Sequence, residues 1–190
     1  MKNWLAVASL GVVAGFAVSA VADDNDQGGG RHKPPRVFRT ELSGYSEVPS
    51  SLSTTARGTF YAVLNSEGTA FTYWLSYSGF TNTVTQSHIH FGQHHTNGGI
   101  SVWLCKNPST TPPTVPADPV VAAQVPDCQQ GSTSSPITGT INSADVIGPA
   151  GQGIAVGEFA ELLAAMRAGV AYANIHTNVF PGGEVRGQIH

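Results

Sequence analysis

Residues 170–189 read VAYANIHTNVFPGGEVRGQI. Two β-rich runs, Val170 to Val179 and Glu184 to Ile189, flank Phe180-Pro181-Gly182-Gly183. Proline presets φ near about −65° and glycine tolerates positive φ, so Pro181-Gly182 predicts a type II turn and the whole segment a β-hairpin. Side chains alternate along a strand. Asn174, His176 and Asn178 therefore form a polar stripe, opposite Ala173, Ile175 and Thr177.

The same period of two recurs upstream. In AFTYWLSY (70–77), Phe71, Tyr73, Leu75 and Tyr77 share one face, with Thr72, Trp74 and Ser76 on the other. GTFYAVL (58–64) precedes it across the turn cluster Asn65-Ser66-Glu67-Gly68, which predicts a second hairpin. Val37 to Leu42, Gln86 to Phe91, Ser101 to Leu104 and Ser135 to Ile141 are further short strands. One segment has a different period: in EFAELLAAMRA (158–168), Phe159, Leu162, Leu163 and Met166 fall on one helical face. Glu158 and Glu161 at its start, Arg167 at its end and Gly169 beyond suit the helix dipole and a glycine stop. About eight short strands and one helix predict an all-β domain over residues 37–190. The expected form is a Greek-key β-sandwich of superoxide dismutase-like or immunoglobulin-like architecture with one short helix.

Composition points the same way. Only 11% of the 190 residues are charged, while Gly numbers 22 and Pro 12, which excludes coiled coils and helical bundles. Nine Lys and Arg against twelve Asp and Glu leave no basic surplus for phosphates, so nucleic acid is not an expected partner. Residues 1–22 carry Lys2, an apolar run from Leu5 to Val21 and the small-x-small sequence Ala20-Val21-Ala22. This predicts a signal peptide, and a secreted or periplasmic protein without a membrane span after cleavage. Residues 23–36 (DDNDQGGGRHKPPR) have almost nothing to bury and predict a flexible linker.

Export predicts that Cys105 and Cys128 pair. The bond would staple a segment holding six prolines, which predicts a long irregular loop. A two-cysteine metal site is the alternative, but it lacks the close spacing of zinc ligands.

The chemistry lies in the histidines. On a strand, His88 and His90 project to one face, so two imidazoles can converge on one ion. With His176 they make a candidate metal site, with His94 or His95 of the Gly-rich loop 92–99 available as a further ligand. Imidazole donors suit copper, here preferred, or zinc. Asn174, Asn178 and Arg186 are candidate outer residues. Arg186 either attracts an anion to the site or pairs with Glu184 on its own strand. The alternative for the histidines is hydrogen bonding that only holds loops, in a structural or protein-binding module. Sequence signatures of a nucleophile elbow, a zinc protease or a P-loop are absent.

The motifs resemble the CHRD (chordin) domain family. Leu42-Ser43-Gly44 with Glu47-Val48-Pro49 matches its opening. His88-Ile89-His90-Phe91-Gly92 and Asn97-Gly98-Gly99 match its middle. Gly157-Glu158-Phe159, Arg167-Ala168-Gly169, Ala171-Tyr172-Ala173-Asn174-Ile175-His176-Thr177 and Phe180-Pro181-Gly182-Gly183-Glu184-Val185-Arg186-Gly187-Gln188 match its close. The resemblance spans about Phe38 to Ile189 and implies an extracellular β-domain without catalytic residues, with an extracellular protein or surface as partner. His88, His90 and His176 are the histidines it covers; His94 and His95 are less typical of it. A weaker resemblance joins His88-x-His90 and Gly182-Gly183-x-x-Arg186 to Cu,Zn superoxide dismutase. The bridging-histidine stretch and zinc ligands of that family have no counterpart here, so the likeness implies architecture rather than dismutase activity.

Overall fold

The computed structural model describes residues 34, 36–111 and 113–190. The expected signal peptide, and the expected linker up to residue 33, lie outside the described residues. Among the described residues, eight strands form one antiparallel sheet: β1 (Val37–Ser43), β2 (Arg57–Leu64), β3 (Phe71–Ser78), β4 (Val84–Phe91), β5 (Gly99–Lys106), β6 (Ile137–Ile141), β7 (Ala171–Thr177) and β8 (Val185–Gln188). Their spatial order is β5-β4-β7-β8-β1-β2-β3-β6. The sheet curls until its edge strands β5 and β6 come into contact without pairing, giving a near-closed barrel. The all-β expectation holds at this level. Arg36, placed with the linker by sequence, hydrogen-bonds Leu64 through both its carbonyl and its guanidinium.

The interior is apolar because inward positions of β1, β2 and β3 recur every second residue. Phe38, Leu42, Phe60, Phe71, Tyr73 and Leu75 are each at most 1% exposed. The predicted helix is present as α2 (Phe159–Arg167), and it buries Phe159, Leu162, Leu163 and Met166 into the same core. Phe159 packs on Phe71 with ring centroids 5.8 Å apart. Each such side chain contributes roughly 1.5–3 kcal/mol of burial as an upper figure. Gly169 ends α2 with φ +69°, as its position predicted.

Two local expectations are corrected. The segment between the cysteines is not wholly irregular, and it adds a second short α-helix among the described residues. A one-and-a-half-turn helix, α1 (Pro119–Gln124), forms there because Asp118 caps it, accepting from the Val120 and Val121 amides, and Pro119 presets its first φ. Val121 and Val125 then pack on Trp103 with Ile100 and Ile147, away from the main core. The Cys105–Cys128 disulfide is formed and closes this loop, which excludes a cysteine metal site. Closing a loop of that length stabilises by about 3 kcal/mol in the chain-entropy model.

The second correction is the β7–β8 turn. Gly183 N–H donates to the Phe180 carbonyl at 3.1 Å, so the four-residue turn exists. Positive φ falls on Gly183 (+129°) and not on Gly182, so the turn is not type II. The reason is tertiary. A Cβ on Gly183 would lie 2.6 Å from the Asn174 amide and 2.8 Å from Glu47 Oε2, so the chain needs glycine where it passes over those side chains.

Candidate metal centre

Strand alternation should leave the second face of β4, β7 and β8 to solvent. It does not: every residue of β7 and β8 is buried. One face, with Ile89, Ala173, Ile175 and Val185, belongs to the apolar core. The other carries His88, His90, Asn174, His176, Arg186 and Gln188, all 7% exposed or less.

Bulges set the cover over this face. β4 and β5 shift register between Ser87 and His88 and again between Ile89 and His90. The shifts place Trp103 opposite His88 and Ile100 opposite His90. Trp103 and Ile100, three residues apart, therefore lie on one face, which a strict period of two forbids. Trp103 meets the His88 imidazole edge-on at 4.3 Å, and α1 closes over Trp103. The disulfide loop thus packs behind Trp103, which lies against His88.

His88, His90 and His176 converge. One ring nitrogen from each can be chosen so that all three lie within 4.8 Å of one another, and among the described residues this is the group so placed. Backbone carbonyls fix two of the rings. His90 Nδ1 lies 3.0 Å from the Gly98 carbonyl, and His176 Nδ1 lies 3.0 Å from the Pro181 carbonyl. A carbonyl only accepts, so both Nδ1 atoms carry the proton and both Nε2 atoms present lone pairs. His88 Nδ1 lies 3.2 Å from His176 Nε2 and donates to it. Among the described residues, the buried Nε2 atoms of His88 and His90 have no hydrogen-bond partner. Unpaired buried nitrogens are costly, and a cation is one group that can partner such a lone pair.

Electrostatics keep these nitrogens free of protons. Burial, aided by its neighbours His176 and His90, holds His88 well below the usual histidine range. Burial pushes His90 down to about 4, and His176 likewise to about 4. Neutral imidazole is the form that ligates metals.

A polar frame surrounds the three rings. Asn174 faces Glu47 with its amide nitrogen 3.3 Å and 3.4 Å from the two carboxylate oxygens. Burial pushes the Glu47 carboxyl up to about 7, against the lowering effects of Asn174 and Arg186. Arg186 does not pair with Glu184. Its guanidinium lies 3.4 Å over the Tyr172 ring and donates to the Thr96 and Gln93 carbonyls. Tyr172 in turn stacks on His90 with centroids 4.7 Å apart. Glu184 is buried and accepts instead from Thr54, Thr177 and Asn82. Gln188 donates to the Gly92 and Gly169 carbonyls. Arg186, Gln188 and Tyr172 thus pin the Gly-rich loop whose Gly98 carbonyl orients His90.

Three expected members fall outside the cluster. His94 and His95 are exposed on the loop; His95 adopts φ +63°, a turn conformation, and the two rings lie 5.9 Å from each other. The loop folds back through its backbone carbonyls, which leaves their side chains at the rim. Asn178 lies beyond the end of β7 and is exposed; its side-chain oxygen accepts from the Thr83 amide. The stripe stops at His176 because the strand does. Trp103 carries no local signal of its role, because only the bulge turns it toward His88. Tyr172, Gln188 and Glu47 do lie within the matched motifs.

The molecule is therefore an antiparallel near-barrel with a buried trihistidine cluster on the outer face of its sheet. The chain belongs to the CHRD domain family, whose model matches residues 38–189. No curated protein and no solved structure matches it.

Proposed function

We propose that this CHRD domain is an exported, non-catalytic metal-binding domain that holds one copper ion, in preference to zinc, through His88, His90 and His176. The carrying observation is the buried convergence of three neutral imidazoles, two of which keep an unpartnered Nε2. When bound, the ion would draw one ring nitrogen from each of His88, His90 and His176 and so tie β4 to β7. The carbonyls of Gly98 and Pro181 hold His90 and His176 in the tautomer and orientation that ligation needs, the second-shell arrangement typical of metal-ligating histidines.

Burial favours retention of an ion over turnover of a substrate, since a catalytic site keeps an open position. This weighs against a dismutase-like redox enzyme. Export is supported by the sequence of residues 1–22 and by the Cys105–Cys128 disulfide, which belongs to oxidising compartments. Among the described residues no helix is long and apolar enough to cross a membrane.

The test is elemental analysis of untagged protein, followed by copper and zinc titration by calorimetry. About one equivalent of copper per chain, lost in the His88→Ala/His90→Ala double variant, is the expected result. Binding no stronger than that of exposed histidines would overturn the metal reading. It would leave a structural module whose extracellular partner should be sought by pull-down.

A further inference from the structure

We infer that the trihistidine site selects copper as the monovalent ion, Cu(I), over Cu(II) and Zn(II). The inference rests on the metal-binding reading above and deepens it.

The donor set is neutral. Among the described residues, no Asp, Glu or Cys joins His88, His90 and His176 in the cluster. The ion would keep its full charge in a site whose ligands are 0%, 7% and 6% exposed. The cost of moving an ion out of water rises with the square of its charge, so a dication costs about four times as much as a monocation of equal size.

The surroundings add to this bias. His90, Tyr172 and Arg186 come from β4, β7 and β8, which are neighbours in the sheet. The guanidinium reaches the site through the Tyr172 ring that stacks on His90. It is a fixed cation stacked on the ring that covers His90. A second positive charge on the ion would meet its field. Glu47 tempers this field, but among the described residues neither buried carboxylate joins the cluster. Glu184 is engaged by Thr54, Asn82 and Thr177. Glu47 faces Asn174.

Coordination number agrees. Zinc sites are almost always four-coordinate, and Cu(II) prefers a tetragonal set. Here three nitrogens converge with Trp103 against His88, and among the described residues no fourth His, Cys, Asp or Glu joins them. Three nitrogen donors suffice for Cu(I), which has a filled d shell and does not demand added ligands.

The experiment uses the full mature chain without a tag. Cu(I) is supplied anaerobically in competition with a chromophoric Cu(I) chelator, and Cu(II) and Zn(II) are titrated separately by calorimetry. The loaded protein is then exposed to air and followed by electron paramagnetic resonance. The expected result is one Cu(I) per chain, bound at least about a hundredfold more tightly than Zn(II) or Cu(II), with no Cu(II) signal growing in air. His90→Asp, checked for folding by circular dichroism, introduces an anionic donor and is expected to abolish that preference. Tighter or equal binding of Cu(II) or Zn(II) to the wild-type chain would overturn this inference while leaving the metal reading intact. Failure of all three ions to bind stoichiometrically would overturn both.

Discussion

β3 and β7 are strands of similar length in one sheet, yet they are buried in opposite ways. β3 alternates strictly, with Phe71, Tyr73, Leu75 and Tyr77 buried and the intervening side chains at least partly exposed. β7 is buried at every position. The inner faces of both contribute to one apolar core. The outer face of β3 carries Thr72 and Trp74 toward solvent, whereas the outer face of β7 carries Tyr172, Asn174 and His176 beneath other segments of the chain. The difference shows that one sheet can hold a stability face and a chemical face back to back. The second requires covering segments drawn from distant parts of the chain: Glu47, Trp103, Gly98 and Pro181.

Acid separates the two regions most strongly. His90 and His176 ionise near about 4 in the folded chain, and His88 lies well below the usual range, whereas all three protonate near about 6.5 when unfolded. Between those limits the unfolded state binds more protons, so metal-free stability falls as pH drops from about 6.5 toward 4. Each extra proton taken up costs about 1.4 kcal/mol per pH unit. Glu47 opposes this with the reverse sign. Its raised value means that the folded state holds a proton up to about pH 7, so its contribution is present at low pH and lost as pH rises through 7. Urea denaturation across this range should show the net loss on acidification. Glu47→Gln should remove the opposing decline, which runs from about pH 4.5 to 7 and is flat above it. A flat profile below pH 6.5 would break the distinction between the faces.

Truncation of the apolar face should act on stability alone. Leu75→Ala is expected to cost about 3–5 kcal/mol by chemical denaturation and to leave metal affinity unchanged in the protein that remains folded. Loss of metal affinity equal to that in a histidine variant would show that the two faces are not separable.

Gly183→Ala probes the join between cover and site. Positive φ and the approach to Asn174 and Glu47 should cost about 2–4 kcal/mol. Because Pro181 orients His176, metal affinity should fall as well, which calorimetry on the folded fraction can measure. A normal affinity would mean that the turn relaxes without moving His176.

The smallest effect belongs to the open face. Tyr61 and Trp74 pair across β2 and β3 with ring centroids 5.6 Å apart, both partly exposed. Tyr61→Thr should lower stability by only about 0.5–1 kcal/mol in a thermal melt, with no change in metal binding.

Strand identities were legible because burial on one face imposes a period of two, and AFTYWLSY (70–77) carries it without interruption. α2 was legible for the matching reason at period 3.6. The helix between the cysteines was not, since six prolines hide a segment whose order depends on an Asp118 cap and on Trp103 beneath it. The His88, His90 and His176 set could be listed from sequence, because i and i+2 share a face and the CHRD motif joins the third. Its reality as a cluster rests on β4 pairing with β7 across 88 residues, a long-range contact that no local pattern encodes.

By itself the sequence determined the all-β class, the disulfide pairing, the family and the three histidines, all of which follow from local period, residue chemistry or motif. Tertiary structure alone decided that the histidine face is closed. It turned Trp103 inward through a bulge, moved positive φ from Gly182 to Gly183, and left His94, His95 and Asn178 outside the cluster. It also took Arg186 from Glu184 and placed it on Tyr172. Each of these outcomes depends on which distant segment packs against which, and packing is set by the whole fold rather than by neighbours in the chain.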